Sequence, residues 1–193
     1  MTDRYNIAVE ALAATHKKDP NTTIVTGEAV PNEWLYIQRI NERLELFEPK
    51  ASEELRLAAN CQHLRRWEIA RADYPDGRIG YFEWRTYLAK YQSDKAAEII
   101  KGAGYPEETG ERLRSLIAKE NLHENADSQT LEDVVCLVFM EYYLEDFAAK
   151  NSHLEFNRII LKTMNKMSER GVDEAKKMKF PADIQKIINQ ILL

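Results

Sequence analysis

The densest concentration of usable chemistry is the run Gln62-His63-Leu64-Arg65-Arg66-Trp67-Glu68. It sets an imidazole one helical turn from an indole and beside two guanidinium groups, in a stretch otherwise rich in Ala and Leu. Histidine titrates nearest neutrality of the common side chains, so His63 suits a general base or a metal ligand. Arg65 or Arg66 offers a fixed fork of donors for an anionic group, with Gln62 and Trp67 beside it. The plain alternative is a satisfied core histidine with its arginines on a solvated face.

The next run is Tyr74-Pro75-Asp76-Gly77-Arg78-Ile79-Gly80-Tyr81-Phe82-Glu83-Trp84-Arg85. Arg78, Tyr81 and Arg85 recur at helical spacing and can share one face. Arginines among aromatics suit a flat, negatively charged ligand such as a nucleotide, through bidentate pairing and stacking. The competing reading packs Tyr81, Phe82 and Trp84 into the core and lets the arginines snorkel. Folding the two runs together would bring Arg66, Arg78 and Arg85 to one anion.

The acids come from two further segments. In Thr130–Phe147, the stretch from Val134 to Met140 has no polar side chain except a thiol, so it reads as a buried central helix. Glu141 shares a stripe with Val134, Leu137 and Val138 and is expected to point inward, where a carboxylate must be paired, protonated or on a metal. Glu132 and Asp133 are first-turn acids by this reading, favoured by the helix dipole, or else a metal or water-activating pair ranked below Glu141. Glu33, Tyr36 and Arg39 sit on the second helix, where Glu33 is equally a capping acid. His16, His123 and His153 read as surface residues near helix ends or polar loops. Lys166, Lys176 and Lys177 read as solvated charges.

The elements that must hold these groups are helical. Helices are expected over Asp3–Lys18, from Pro31-Asn32 to Phe47, and from Glu53 to about Ile69 behind a Ser52 cap. The third carries the small Ala58 and Ala59, which permit close approach by a neighbour. Ile79–Lys101 follows, continuous or broken near Ser93, then Glu107–Lys119, and then the central helix capped by Ser128 or Thr130. Ser152–Ser168 and Pro181–Leu193 complete about eight helices. Thr22–Pro31 is the segment where a short strand can hide. The last helix is a packing element or a homodimer element.

Composition agrees. A chain of 193 residues fits one domain, 1–193, and its 44% hydrophobic and 31% charged residues are those of a globular protein. Only 7 Gly and 6 Pro favour helices over a turn-rich β architecture. A net charge of −5 disfavours nucleic acid and anionic membranes as partners, short of a local basic groove. Cys61 and Cys136 read as buried thiols in a reducing compartment. No signal peptide or membrane span is apparent, which makes the cytoplasm the expectation.

Tyr36…Arg39, AANCQHLRRWEI, YPDGRIGYFEWRT and TLEDVVCLVFMEYY together resemble a widespread family of small all-helical proteins of unknown function, found in bacteria and plants. The resemblance covers nearly the whole chain. A more distant resemblance is to the HD-domain metal-dependent phosphohydrolases, which hold a divalent metal with a histidine, a His-Asp pair and a later aspartate. The HxxR element of that superfamily falls on Tyr36-Ile37-Gln38-Arg39, its His-Asp pair near Gln62-His63, and its last aspartate near Glu141 or Asp133. Tyr36 stands where the first histidine would be, and no aspartate follows His63. That resemblance implies an HD-like fold and one divalent metal ion on His63, Glu141 and one of Glu33 or Asp133. It also implies hydrolysis of a phosphorylated small molecule such as a nucleotide, with His63, Glu141, Glu132 and Asp133 catalytic. Tyr36, Arg39, Gln62, Arg66, Trp67, Arg78, Tyr81 and Arg85 would bind the anionic ligand. The alternative is a non-catalytic helical protein that binds an anionic metabolite and has lost the metal site.

Overall fold

Apolar positions at helical spacing dominate the chain, and helices are what form. The computed structural model describes residues 3–191 and is all-α apart from one hairpin. Among the described residues there are ten α-helices, two more than expected. Leu192 and Leu193, which end the last expected helix, lie outside the described residues. The chain, expected to be one domain, gathers into two compact units, Met1–Asn121 and Leu122–Leu193. No helix among the described residues is long and apolar enough to cross a membrane.

The first unit opens with α1 (Asp3–His16), followed by the antiparallel pair β1 (Thr22–Val25) and β2 (Glu28–Pro31). Thr26 and Gly27 between the strands both have positive φ, 50° and 90°, as a two-residue hairpin turn of the I′ type requires. Helices α2 (Asn32–Phe47), α3 (Glu53–Asn60), α4 (Gly77–Gly102) and α5 (Glu107–Ala118) follow. Helix α4 lies along α5, and α3 packs on α1, α2 and α5. Leu12, Ile37, Ile40, Leu55, Leu88 and Leu113 are buried in their core, and Ala58 and Ala59 are fully buried where helices approach closely. Helix α4 runs unbroken through Ser93, whose hydroxyl donates back to the Lys90 carbonyl within the helix (2.9 Å).

Helix α3 ends nine residues before the expected Ile69, and the reason is polar. The Asn60 amide donates to the Arg56 carbonyl (2.8 Å) and to Asn41 Oδ1 (3.0 Å), while its own carbonyl accepts from His16 Nε2 (2.9 Å). A carbonyl freed at a helix end needs such a partner. His16, expected on the surface, is therefore fully buried. Beyond Cys61 the chain turns sharply. His63 and Arg65 adopt left-handed φ of 56° and 54°, and short 3-10 turns follow at Arg66–Glu68 and Arg71–Asp73. Left-handed backbone is uncommon for residues other than glycine. Gly80 explains another part of the pattern: a Cβ there would lie 2.0 Å from the Pro75 carbonyl oxygen, so the start of α4 can close against its own loop only through glycine.

The second unit holds α6 (Ala126–Tyr142), α7 (Leu144–Lys150), α8 (His153–Met164), α9 (Glu169–Lys176) and α10 (Ala182–Ile191). The expected central helix is thus α6 plus α7, broken at Tyr143, and α9 is the helix that the sequence reading lacked. The cap of α6 is Asn125, neither Ser128 nor Thr130: its Oδ1 accepts from the Asp127 and Ser128 amides, both at 3.0 Å. Leu131, Val134, Leu137 and Val138 are fully buried, as the apolar run requires. Both cysteines are buried free thiols, as expected, and burial pushes the Cys61 thiol up to about 12.

Candidate functional site

The left-handed turn after α3 aims His63 back at the first turns of α2. Its ring stacks on Tyr36, with centroids 4.1 Å apart and planes within 8°. His63 Nδ1 lies 3.2 Å from Glu33 Oε2, and Nε2 lies 3.1 Å from Arg66 Nη1. A guanidinium can only donate, so Nε2 accepts and the ring proton sits on Nδ1, donating to Glu33. The imidazole is neutral in this arrangement. Its proton affinity is held well below the usual range, by burial first and then by Arg66, Arg85 and Lys119. Glu33 is pushed up to about 7, mainly by burial; the Arg66 charge opposes the rise and Asp19 adds to it. Asp19 also holds the start of α2 in place. One oxygen accepts the Glu33 amide (3.0 Å), and the other accepts both the backbone and side-chain N–H of Asn21 (2.9 Å each).

Helix α4 supplies the neighbouring groups. Trp84 is buried and donates its indole N–H to the Ile69 carbonyl (2.9 Å), which fixes the ring. The guanidinium carbons of Arg66 and Arg85 lie 5.2 and 5.9 Å from its centroid. Each of these charges lowers the proton affinity of groups beside it: Arg85 acts on both Arg66 and His63. Two like charges on one indole, beside a half-buried acid–imidazole pair, form a place where an anion would relieve repulsion. Three other arginines of this unit are held by acids. Arg65 pairs with Glu68 (2.7 Å), Arg56 with Glu45 (2.5 Å) and Arg112 with Glu54 (2.6 Å).

The sequence model of the DUF4202 family, described as a domain of unknown function, matches residues 6–188. The chain belongs to this family. No curated protein and no solved structure shows a match to the chain. The resemblance to an all-helical family of unknown function is thereby borne out, and the DUF4202 description assigns no reaction. The chemistry of this DUF4202 domain has to come from its geometry.

That geometry brings together only some of the expected residues. Glu33, Tyr36, His63, Arg66, Trp84 and Arg85 meet. Tyr81 touches the edge of the group, its ring 5.9 Å from Trp84, and Arg78 instead lies over Phe82 at 5.5 Å. Gln62 is buried and spends its amide on the Ala58 carbonyl (3.1 Å), while Trp67 and Arg39 are half-buried. Trp84, Asp19 and His16 were the residues missed as parts of the site. Trp84 read as core and Asp19 as a helix stop, and both readings are true as far as they go.

In the second unit, Glu141 corrects a clear expectation: it is exposed. Helix α6 ends one residue later, and at that end burial passes to Met140 and Leu144. The buried acids of α6 are Glu132 and Asp133, each about one-fiftieth exposed at 2%. They lie in the second turn, not the first, because the helix starts at Ala126. Asp133 accepts from the Ser168 amide (2.8 Å), the Ser168 hydroxyl (2.5 Å) and the Gln129 amide (3.1 Å). A Cβ on Gly171 would lie 2.7 Å from Asp133 Oδ1, so glycine lets α9 close on this carboxylate. Glu132 faces Lys166 Nζ at 3.1 Å, so Lys166 is an ion-pair partner and not simply a solvated charge. Among the described residues no three or more His, Cys, Asp or Glu gather closely enough to hold a metal ion. His63 and Glu33 supply two donors, and the guanidinium on Nε2 opposes a cation there, so this donor set does not fit the expected centre.

Proposed function

We propose that this DUF4202 domain binds a phosphorylated small molecule against Trp84 and hydrolyses it with the Glu33–His63 pair. The observation that carries the reading is the meeting of the Arg66 and Arg85 guanidinium groups on one indole, next to a half-buried carboxyl bonded to an imidazole. The arginines hold the phosphoryl oxygens and stabilise the charge that builds on them during transfer. The anion draws Arg66 off Nε2, and that nitrogen takes the proton of an attacking water. The water oxygen forms a bond to phosphorus, the ester P–O bond breaks, the leaving oxygen takes a proton from solvent, and the imidazolium then returns its own proton to solvent. Glu33 keeps the ring oriented through Nδ1–H and steadies the imidazolium.

A second reading has its own support. In the structure Arg66 already caps Nε2, which suits a protein that senses an anionic metabolite without turning it over. One experiment separates the two: incubation of the purified protein with a panel of phosphate monoesters, measuring released phosphate and melting temperature together. Phosphate release by the wild type, lost in His63→Asn, supports the hydrolase. A melting shift with no product supports the sensor. Neither release nor shift across the panel would remove both.

A further inference from the structure

The aromatic groups do not stop at Trp84. Tyr81 lies 5.9 Å from Trp84, and Phe82 lies 5.8 Å from Tyr81 in an edge-on arrangement. Trp84 is buried, but Tyr81 is 47% and Phe82 53% exposed. The rings therefore step outward from the arginine pair along one turn of α4 to open solvent. Apolar rings grouped side by side at the surface, unlike ones scattered singly, mark a place of contact. Arg78 lies 5.5 Å from the Phe82 ring and places a third cation at the outer end of the strip. A cation on a ring, an open ring beside it, and two cations one turn further on suit a ligand that is flat at one end and anionic at the other.

We infer that Tyr81 and Phe82 are the seat for an aromatic ring borne by the phosphorylated ligand, so that the substrate class is a nucleoside phosphate and not a sugar or alkyl phosphate. This rests on the proposed phosphate site at Arg66 and Arg85. The base stacks on the exposed ring, and its phosphate reaches back toward Trp84. Base-on-aromatic stacking is tolerant of which base is present, so the strip selects for a ring and not for a particular one. Tyr81 and Phe82 touch the ligand without entering the chemistry.

Three probes test this by calorimetry: inorganic phosphate, ribose 5-phosphate and adenosine 5′-monophosphate. The wild type is expected to bind the nucleotide about tenfold more tightly than ribose 5-phosphate. In a Tyr81→Ala/Phe82→Ala variant the two should bind alike, with ribose 5-phosphate unchanged. Both side chains are open to solvent, so the variant is expected to fold, and its far-UV spectrum checks that. Equal binding of the two esters by the wild type would overturn the ring seat and leave the phosphate site standing. A nucleotide preference that persists in the variant would also overturn it, by placing the ring elsewhere. Binding of none of the three probes would remove the phosphate site and the ring seat together.

Discussion

Asp133 and Glu33 are both carboxyl groups taken largely out of water, one in each unit, and they are treated in opposite ways. Asp133 is met by three donors from Ser168 and Gln129, and a glycine on α9 closes over it. Every lone pair that matters has a fixed partner, so the group fastens one helix to another. Glu33 meets an imidazole, with a guanidinium beyond it, and is pushed up to about 7. Its neighbours can gain, lose or move a proton or a charge. A carboxylate satisfied by fixed dipoles is architecture, whereas one left among titratable and mobile charges is poised to respond to a ligand.

The largest expected effect falls on the architectural acid. Asp133→Ala strands the Ser168 and Gln129 donors and should cost about 3 kcal/mol of stability, read from urea unfolding of the whole chain. Its affinity for phosphate esters should not change; a large loss of affinity at unchanged stability would erase the contrast.

His63→Asn tests the other side. Asparagine tolerates the left-handed backbone at this position, so folding should survive. Phosphate release should fall by roughly a hundredfold or more, the usual contribution of a positioned general base. Turnover at the wild-type rate would take His63 out of the mechanism.

A third effect, confined to a window of pH, is expected in the stability. Glu33 has a folded-state pKa of about 7, above its ordinary 4.5, so the folded protein binds the extra proton between those values. Stability contributed by this group is therefore present at low pH and is lost as pH rises through about 7. His63, lowered from 6.5, acts in the other direction: its contribution is lost as pH falls below the ordinary value. Glu33→Gln removes the first effect and keeps an acceptor for the ring N–H. Relative to wild type, the variant should gain stability between pH 5 and pH 8, by up to roughly 3 kcal/mol, measured as the difference in melting curves. A difference independent of pH would mean that Glu33 is ionised throughout.

These two acids also show how far the sequence could be read. The buried run of α6 and the helical body were visible because period and composition report packing directly. Helix α9 was not, because its few apolar residues, Val172 and Ala175 among them, leave little periodic signal, and its start depends on Ser168 and the distant Asp133. The turn at His63 was hidden for a related reason. Left-handed backbone at a histidine has no glycine to announce it, and the helix ends at Asn60 because His16, forty-four residues away, takes its carbonyl. Glu141 looked inward by spacing alone, since spacing does not say that the helix stops at Tyr142. His63, Arg66 and Arg85, which the fold brings together, stood out by residue type; Glu33 was named but ranked behind Glu141, since its tie to His63 spans thirty positions.

The central claim is that Arg66 and Arg85 jointly hold a phosphoryl group. The direct measurement is the melting temperature of the wild type and of an Arg66→Met/Arg85→Met variant across a titration with ribose 5-phosphate. Methionine keeps most of the packing on Trp84 while removing both charges. The wild type should be stabilised with a dependence on ligand concentration that follows mass action, by about 2.7 kcal/mol at a hundred times the dissociation constant, and the variant should not respond. Equal stabilisation of the two proteins would contradict the account.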